Sequence, residues 1–79
     1  MKAKVYVTLK PSILDPQGKT IAQALQAIGY DAVKDVRQGK YFELDVDASS
    51  VGEAERMVSE AAERVLANPV IESYRVEVE

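Results

Sequence analysis

Neither cysteine nor histidine occurs in this chain, and tryptophan is missing as well. Without cysteine there are no disulfides, thiolate nucleophiles or thiolate metal sites, a composition that fits a reducing cytoplasm. Without histidine the chain lacks the side chain that most often acts as a general base near neutral pH. No Gly-rich nucleotide cradle of the Walker or Rossmann kind is present either. Several enzyme classes are thereby discounted, and the residues point to a binding module.

Large side chains are also scarce, with a single Phe among 79 residues, so Leu, Ile, Val and Ala must build the core. A domain of this size buries only about 60% of the surface that its unfolded form exposes. The core is therefore thin, and self-association is the natural way to supplement it. No stretch approaches the roughly 20 apolar residues of a membrane span, and Met1-Lys2-Ala3-Lys4-Val5 lacks the apolar run of a signal peptide. A soluble, cytoplasmic protein with no membrane partner is expected. The net charge of −3 leaves no reserve of positive charge for phosphates, so nucleic acid is not an expected partner.

Val5, Val7 and Leu9 alternate with Lys4, Tyr6, Thr8 and Lys10, the period of a strand with one buried face. Pro11 ends it. Asp15-Pro16 then predicts a helix start, with an Asp cap and Pro in the first turn, and Gly18 is expected to delay the regular helix. Ile21, Ala24, Leu25 and Ile28 form an apolar stripe, and Gly29 falls where a left-handed C-terminal cap belongs. From Ala32 to Asp47 the pattern is extended, with Phe42, Leu44 and Val46 facing one way and Tyr41, Glu43, Asp45 and Asp47 the other. Gln38-Gly39 predicts either a tight hairpin turn or a bulge in one long bent strand.

Ser50-Val51-Gly52-Glu53 has the spacing of a capping box, in which each side chain satisfies the other's backbone amide. The helix it opens carries Ala54, Met57, Val58, Ala61, Val65 and Leu66 at helical spacing and stops at Asn68-Pro69. Tyr74, Val76 and Val78 then alternate with Ser73, Arg75, Glu77 and Glu79 in a final strand. The order β-α-β-(β)-α-β predicts an α+β fold, an antiparallel sheet with two helices on one face. Tyr6, Thr8 and Tyr41 fall on the other face, through which, or through the sheet edges, the chain is expected to oligomerise.

Asp15-Pro16-Gln17-Gly18 reads as a capped helix entrance. The same free amides also favour an anion, helped by Lys10 or Lys19, which supports an alternative function as a small-molecule-binding regulatory α+β domain. Arg37 and Lys40 flank the Gln38-Gly39 turn and present two positive groups to an anionic ligand or an acidic partner, or else to solvent. Asp45 and Asp47 share a strand face without a neighbour that would perturb them, so neither catalysis nor metal binding is expected there.

Leu9-Lys10-Pro11, Leu14-Asp15-Pro16-Gln17-Gly18, Val36-Arg37-Gln38-Gly39-Lys40 and the run from Leu66 through Asn68-Pro69-Val70-Ile71-Glu72-Ser73-Tyr74 together closely resemble the PurS family. Each motif alone is weak; the ordered set, at nearly the family's spacing, covers essentially the whole chain. One departure is Ala61-Ala62, where some relatives carry a cysteine. The resemblance implies a single PurS-like domain over residues 1–79, the small, non-catalytic subunit of phosphoribosylformylglycinamidine synthase. It further implies partners of the PurL type, a large synthetase subunit that binds ATP and Mg, and of the PurQ type, a glutaminase subunit. This chain is expected to bind no cofactor or metal itself and to form a homodimer or homotetramer. The resemblance assigns to subunit contacts Lys10, Asp15, Pro16, Gln17 and Gly18, then Arg37, Gly39 and Lys40, then Asn68, Pro69, Glu72 and Tyr74.

Overall fold

The computed structural model describes all 79 residues, Met1–Glu79. The alternating N-terminal segment forms β1, Lys2–Leu9, at the centre of a three-stranded antiparallel sheet. β2, Gly39–Asp45, and β3, Glu72–Val78, flank it. Val5 stands opposite Phe42 on one side and Val76 on the other, while Tyr6 stands opposite Tyr41 and Arg75. The register thus puts Ala3, Val5 and Val7 on one face and the tyrosines on the reverse. Both edge strands carry alternating charges, which discourage indiscriminate strand addition.

One helix, Val51–Ala61, covers the apolar face and is numbered α2 here because another precedes it in the chain. Its Ala54 and Val58, with Ala62 in the turn that follows, are at most 1% exposed and close over Ala3, Val5 and Val7. Ser50 caps it, accepting the Glu53 amide at 3.1 Å. The return half of the capping box is displaced by one residue. Glu53 accepts from the Ser49 amide and hydroxyl, because Ser49 offers one carboxylate two donors at once.

Beyond Ala61 the helix widens into a π-helical turn, Ala62–Leu66, closed by the Ala67 amide donating to the Ala62 carbonyl at 2.8 Å. The wider turn carries one more residue than an α-turn and so shifts the face that follows. Val65, expected on the apolar stripe, is consequently 79% exposed, and Ala67 takes a place in the core.

The preceding helix, α1, runs Pro16–Ala27 with Asp15 as its N-cap. Gly18 does not delay it: the helix is regular from Pro16. Gly29 adopts φ 106°, the left-handed cap expected of it. The α+β class stands as the sequence indicates, but the expected placement of two helices on one face does not. α2 alone supplies the helical side of the core, and α1 adds no residue to it because its buried Gly18 faces the returning chain at Val36. The apolar stripe of α1 stays open, with Ile21 39% and Ile28 72% exposed; its buried residues are Gly18 and Ala22. The result is an elongated molecule, 50 × 24 × 14 Å.

Residues 32–38 form no strand, so neither the hairpin nor the long bent strand exists, and β2 begins at Gly39. The physical reason lies in the hydrogen bonds. The Val33 amide turns back to the Tyr30 carbonyl, and the Gln38 amide goes to a side chain of another segment, leaving no ladder to extend.

Candidate functional site

Asp15 is the one charged residue buried in the chain, at 6% exposure. Its Oδ1 accepts the Gly18 amide at 2.9 Å, the ordinary cap bond, while Oδ2 accepts the Gln38 amide at 2.7 Å. One carboxylate therefore caps α1 and holds the returning chain. Arg37 works in the opposite sense, donating to the Lys10 and Ile13 carbonyls at 3.0 and 3.1 Å. The Gly18 amide, the Gln38 amide and then the Arg37 charge hold the Asp15 carboxyl below its usual range, against the opposing effect of burial.

The close fit at this clasp depends on two glycines. A β-carbon at Gly18 would come 2.0 Å from the Val36 carbonyl oxygen, and one at Gly39 would come 2.4 Å from that of Val7. Along α1 the face that receives the returning chain is Gly18, Ala22 and Gln26, whose Nε2 donates to the Val33 carbonyl at 2.8 Å. Small residues win that face because only they let a second backbone approach. A groove of about 310 Å³ remains beside it, lined by polar side chains including Lys19, Gln23 and Lys34.

Three surface cassettes carry the candidate contact residues, Asp15–Gly18, Arg37–Lys40 and Asn68–Tyr74, and the third opens with a self-contained turn. Asn68 Oδ1 accepts the Val70 amide at 3.1 Å, and Glu72 reaches back to accept the Asn68 amide at 2.7 Å. Two contacts tie this turn to the clasp. The Lys10 amide donates to the Ile71 carbonyl at 2.9 Å, and Lys40 pairs with Glu72 at 3.5 Å. Because Thr8 pairs with Gly39 and Leu9 with Glu72, all three cassettes meet at one end of the sheet.

Lys10, Asp15, Gly18, Arg37, Gly39, Lys40, Asn68 and Glu72 are thus brought together by intrachain bonds or close packing. Pro16, Gln17 and Pro69 lie exposed on the outer side of the same region, whereas Tyr74 is half-buried against the core. Leu14, in the motif that opens α1, and Val70, within the Asn68–Tyr74 segment, are both more than 70% exposed beside these turns.

On the outer sheet face, Tyr6 and Tyr41 lie 5.2 Å apart, ring centre to ring centre, and the Arg75 guanidinium sits 4.3 Å over Tyr6. Tyr6 donates to Glu77, Tyr41 to Glu43, and Lys4 pairs with Glu79. Thr8 is exposed on the same face. This is an aromatic and charged platform suited to another protein surface. At the helix entrance, by contrast, the Gly18 amide that would greet an anion already serves Asp15. No group of three or more His, Cys, Asp or Glu stands close enough to hold a metal ion. No helix is long and apolar enough to cross a membrane.

The family described as PurS, phosphoribosylformylglycinamidine (FGAM) synthase, matches residues 2–79. The chain belongs to the PurS family. It is 51% identical over 78 residues to phosphoribosylformylglycinamidine synthase subunit PurS of Bacillus subtilis, spanning 99% of this chain and 92% of that protein. The solved structure of Bacillus subtilis PurS superposes with a TM-score of 0.88, covering 99% of this chain and 96% of that one. A chain in the structure of PurLQS from Thermotoga maritima superposes with a TM-score of 0.89 at 36% identity, covering 96% of this chain and 93% of its own. The three antiparallel strands and two helices of this chain thus match PurS structures over nearly its whole length.

Proposed function

We propose that this chain is the small subunit of phosphoribosylformylglycinamidine synthase in purine biosynthesis. The reaction converts formylglycinamide ribonucleotide, glutamine and ATP to formylglycinamidine ribonucleotide, glutamate, ADP and phosphate. The observation that carries the reading is full-length likeness to the PurS family, including a fold match at TM-score 0.89 to a chain of the PurLQS structure. The chain works beside a PurL-type synthetase, which binds ATP and Mg, and a PurQ-type glutaminase, in the cytoplasm.

Its own part is assembly. Ammonia released into water at neutral pH is mostly protonated and no longer nucleophilic, so the glutaminase and synthetase sites must be joined by a shielded route. A small adaptor that holds the two in register keeps ammonia productive. The chain's inventory suits that role, because it brings neither His nor Cys and the nucleophilic work belongs to the glutaminase. It acts as a homodimer or homotetramer, supported by the thin core and the open aromatic sheet face.

Size-exclusion chromatography of the three purified subunits with glutamine present tests this directly. Co-elution of synthetase and glutaminase only when the chain is added is the expected result. Their co-elution without it, or its failure to join them, contradicts the proposal.

A further inference from the structure

The attachment of α1 to the rest of the molecule is narrow. No α1 residue enters the core, and a 12-residue helix is marginal in water without tertiary packing. What holds it is the returning chain: Val36 against Gly18, the Val33 carbonyl on Gln26, and the Gln38 amide on Asp15. Asp15 alone among these bonds both the helix and Gln38, the residue just before β2. The same carboxylate that begins α1 therefore ties the helix to Gln38, next to Gly39 and Lys40, which pair with Thr8 and Val7 of β1, and Lys40 in turn meets Glu72 of the third cassette.

We propose that Asp15 is a positioning residue of the assembled enzyme: by bonding Gly18 and Gln38 together it sets the placement of α1 against the cassettes that the sheet register brings to this end. This rests on the role in assembly proposed above, since placement matters only if those cassettes meet other subunits. Asp15 touches no reacting group. Its influence is on how readily the complex forms, not on the chemical step once formed.

Replacement by serine separates the two bonds. Ser remains a good N-cap for the Gly18 amide but is too short to reach Gln38, so D15S keeps the helix start and opens the clasp. Asp15→Ala removes both bonds. The experiment reconstitutes the three-subunit enzyme with increasing amounts of wild type, D15S or D15A and follows glutamine-dependent and ammonia-dependent turnover. Loss of hydrogen-exchange protection at the Gln38 amide verifies that the clasp has opened.

The expected result for D15S is a rise of about tenfold or more in the concentration giving half-maximal glutamine-dependent turnover. Turnover at saturation stays within about twofold of wild type, and the ammonia-dependent rate is unchanged. D15A shifts the half-saturation further. A D15S chain with an open clasp and wild-type half-saturation overturns the positioning role while leaving the assembly role standing. A wild-type chain that does nothing to glutamine-dependent turnover removes both.

Discussion

Gly18 and Val36 approach so closely that a β-carbon on the first would stand 2.0 Å from the carbonyl oxygen of the second. The obstacle is backbone, not the end of a flexible side chain, so it cannot swing aside. Gly18→Ala should lift the returning segment or strain α1, at a cost of about 1–3 kcal/mol by analogy with overpacked cores. Urea denaturation together with hydrogen exchange at Gln38 measures it. An unchanged midpoint and unchanged protection contradict the packing described.

The Asp15 carboxyl lies below its usual pKa because the folded chain bonds its charged form. The unfolded chain consequently takes up the proton more readily. Its stabilising contribution is complete above the unfolded value of about 3.9 and is lost as pH falls from there through the lower folded value. Glu53 and Glu79 are lowered too, so the difference between wild type and Asp15→Asn isolates this one group. That difference in stability should be flat from about pH 7 to pH 5 and should shrink below pH 4. A gap that does not change with acid refutes the assignment.

Val58 and Ile28 make a contrasting pair, one 1% and the other 72% exposed. Val58→Ala should cost roughly 2 kcal/mol for lost burial and the cavity left behind. Ile28→Ala in the dilute, isolated chain should change stability by less than about 0.5 kcal/mol. Thermal unfolding of both separates a helix that builds the core from one that stands outside it.

Much of this was legible in the sequence, and the exceptions have definite causes. Alternation in Lys2–Leu9 gave the central strand, Ser50 and Glu53 the start of α2, and Gly29 the end of α1, because each signal is local. The buried face of α1 was not legible. Hydropathy favoured Ile21, Leu25 and Ile28, whereas the chain returning from Gly29 needed the small residues Gly18 and Ala22 for close backbone approach. Residues 32–38 looked like a strand, but the partner of the Gln38 amide lies on Asp15, 23 positions away. The motifs around Asp15, Arg37 and Asn68 were each visible, while their meeting at one sheet end follows only from the register of β1 with β2 and β3.

Arg37 and Lys40 looked alike as turn cations, yet the structure separates them. Arg37 braces the Lys10 and Ile13 carbonyls, whereas Lys40 is half-exposed in a pair with Glu72. Lys40→Glu should cost the isolated fold about 1 kcal/mol or less, in keeping with exposed pairs, while weakening complex formation. Arg37→Glu should disturb both. Sedimentation of the mixed subunits at low and physiological salt, beside melting of the isolated variants, reads the two effects apart. Undiminished assembly of Lys40→Glu at both salt levels removes Lys40 from the contact surface.

The most direct test of the central claim is turnover by the synthetase and glutaminase subunits with and without this chain, supplied in turn with glutamine and with ammonia. An assembly subunit predicts that the chain restores glutamine-dependent synthesis of formylglycinamidine ribonucleotide and leaves the ammonia-dependent rate nearly unchanged. Equal rates with and without the chain on glutamine contradict that role.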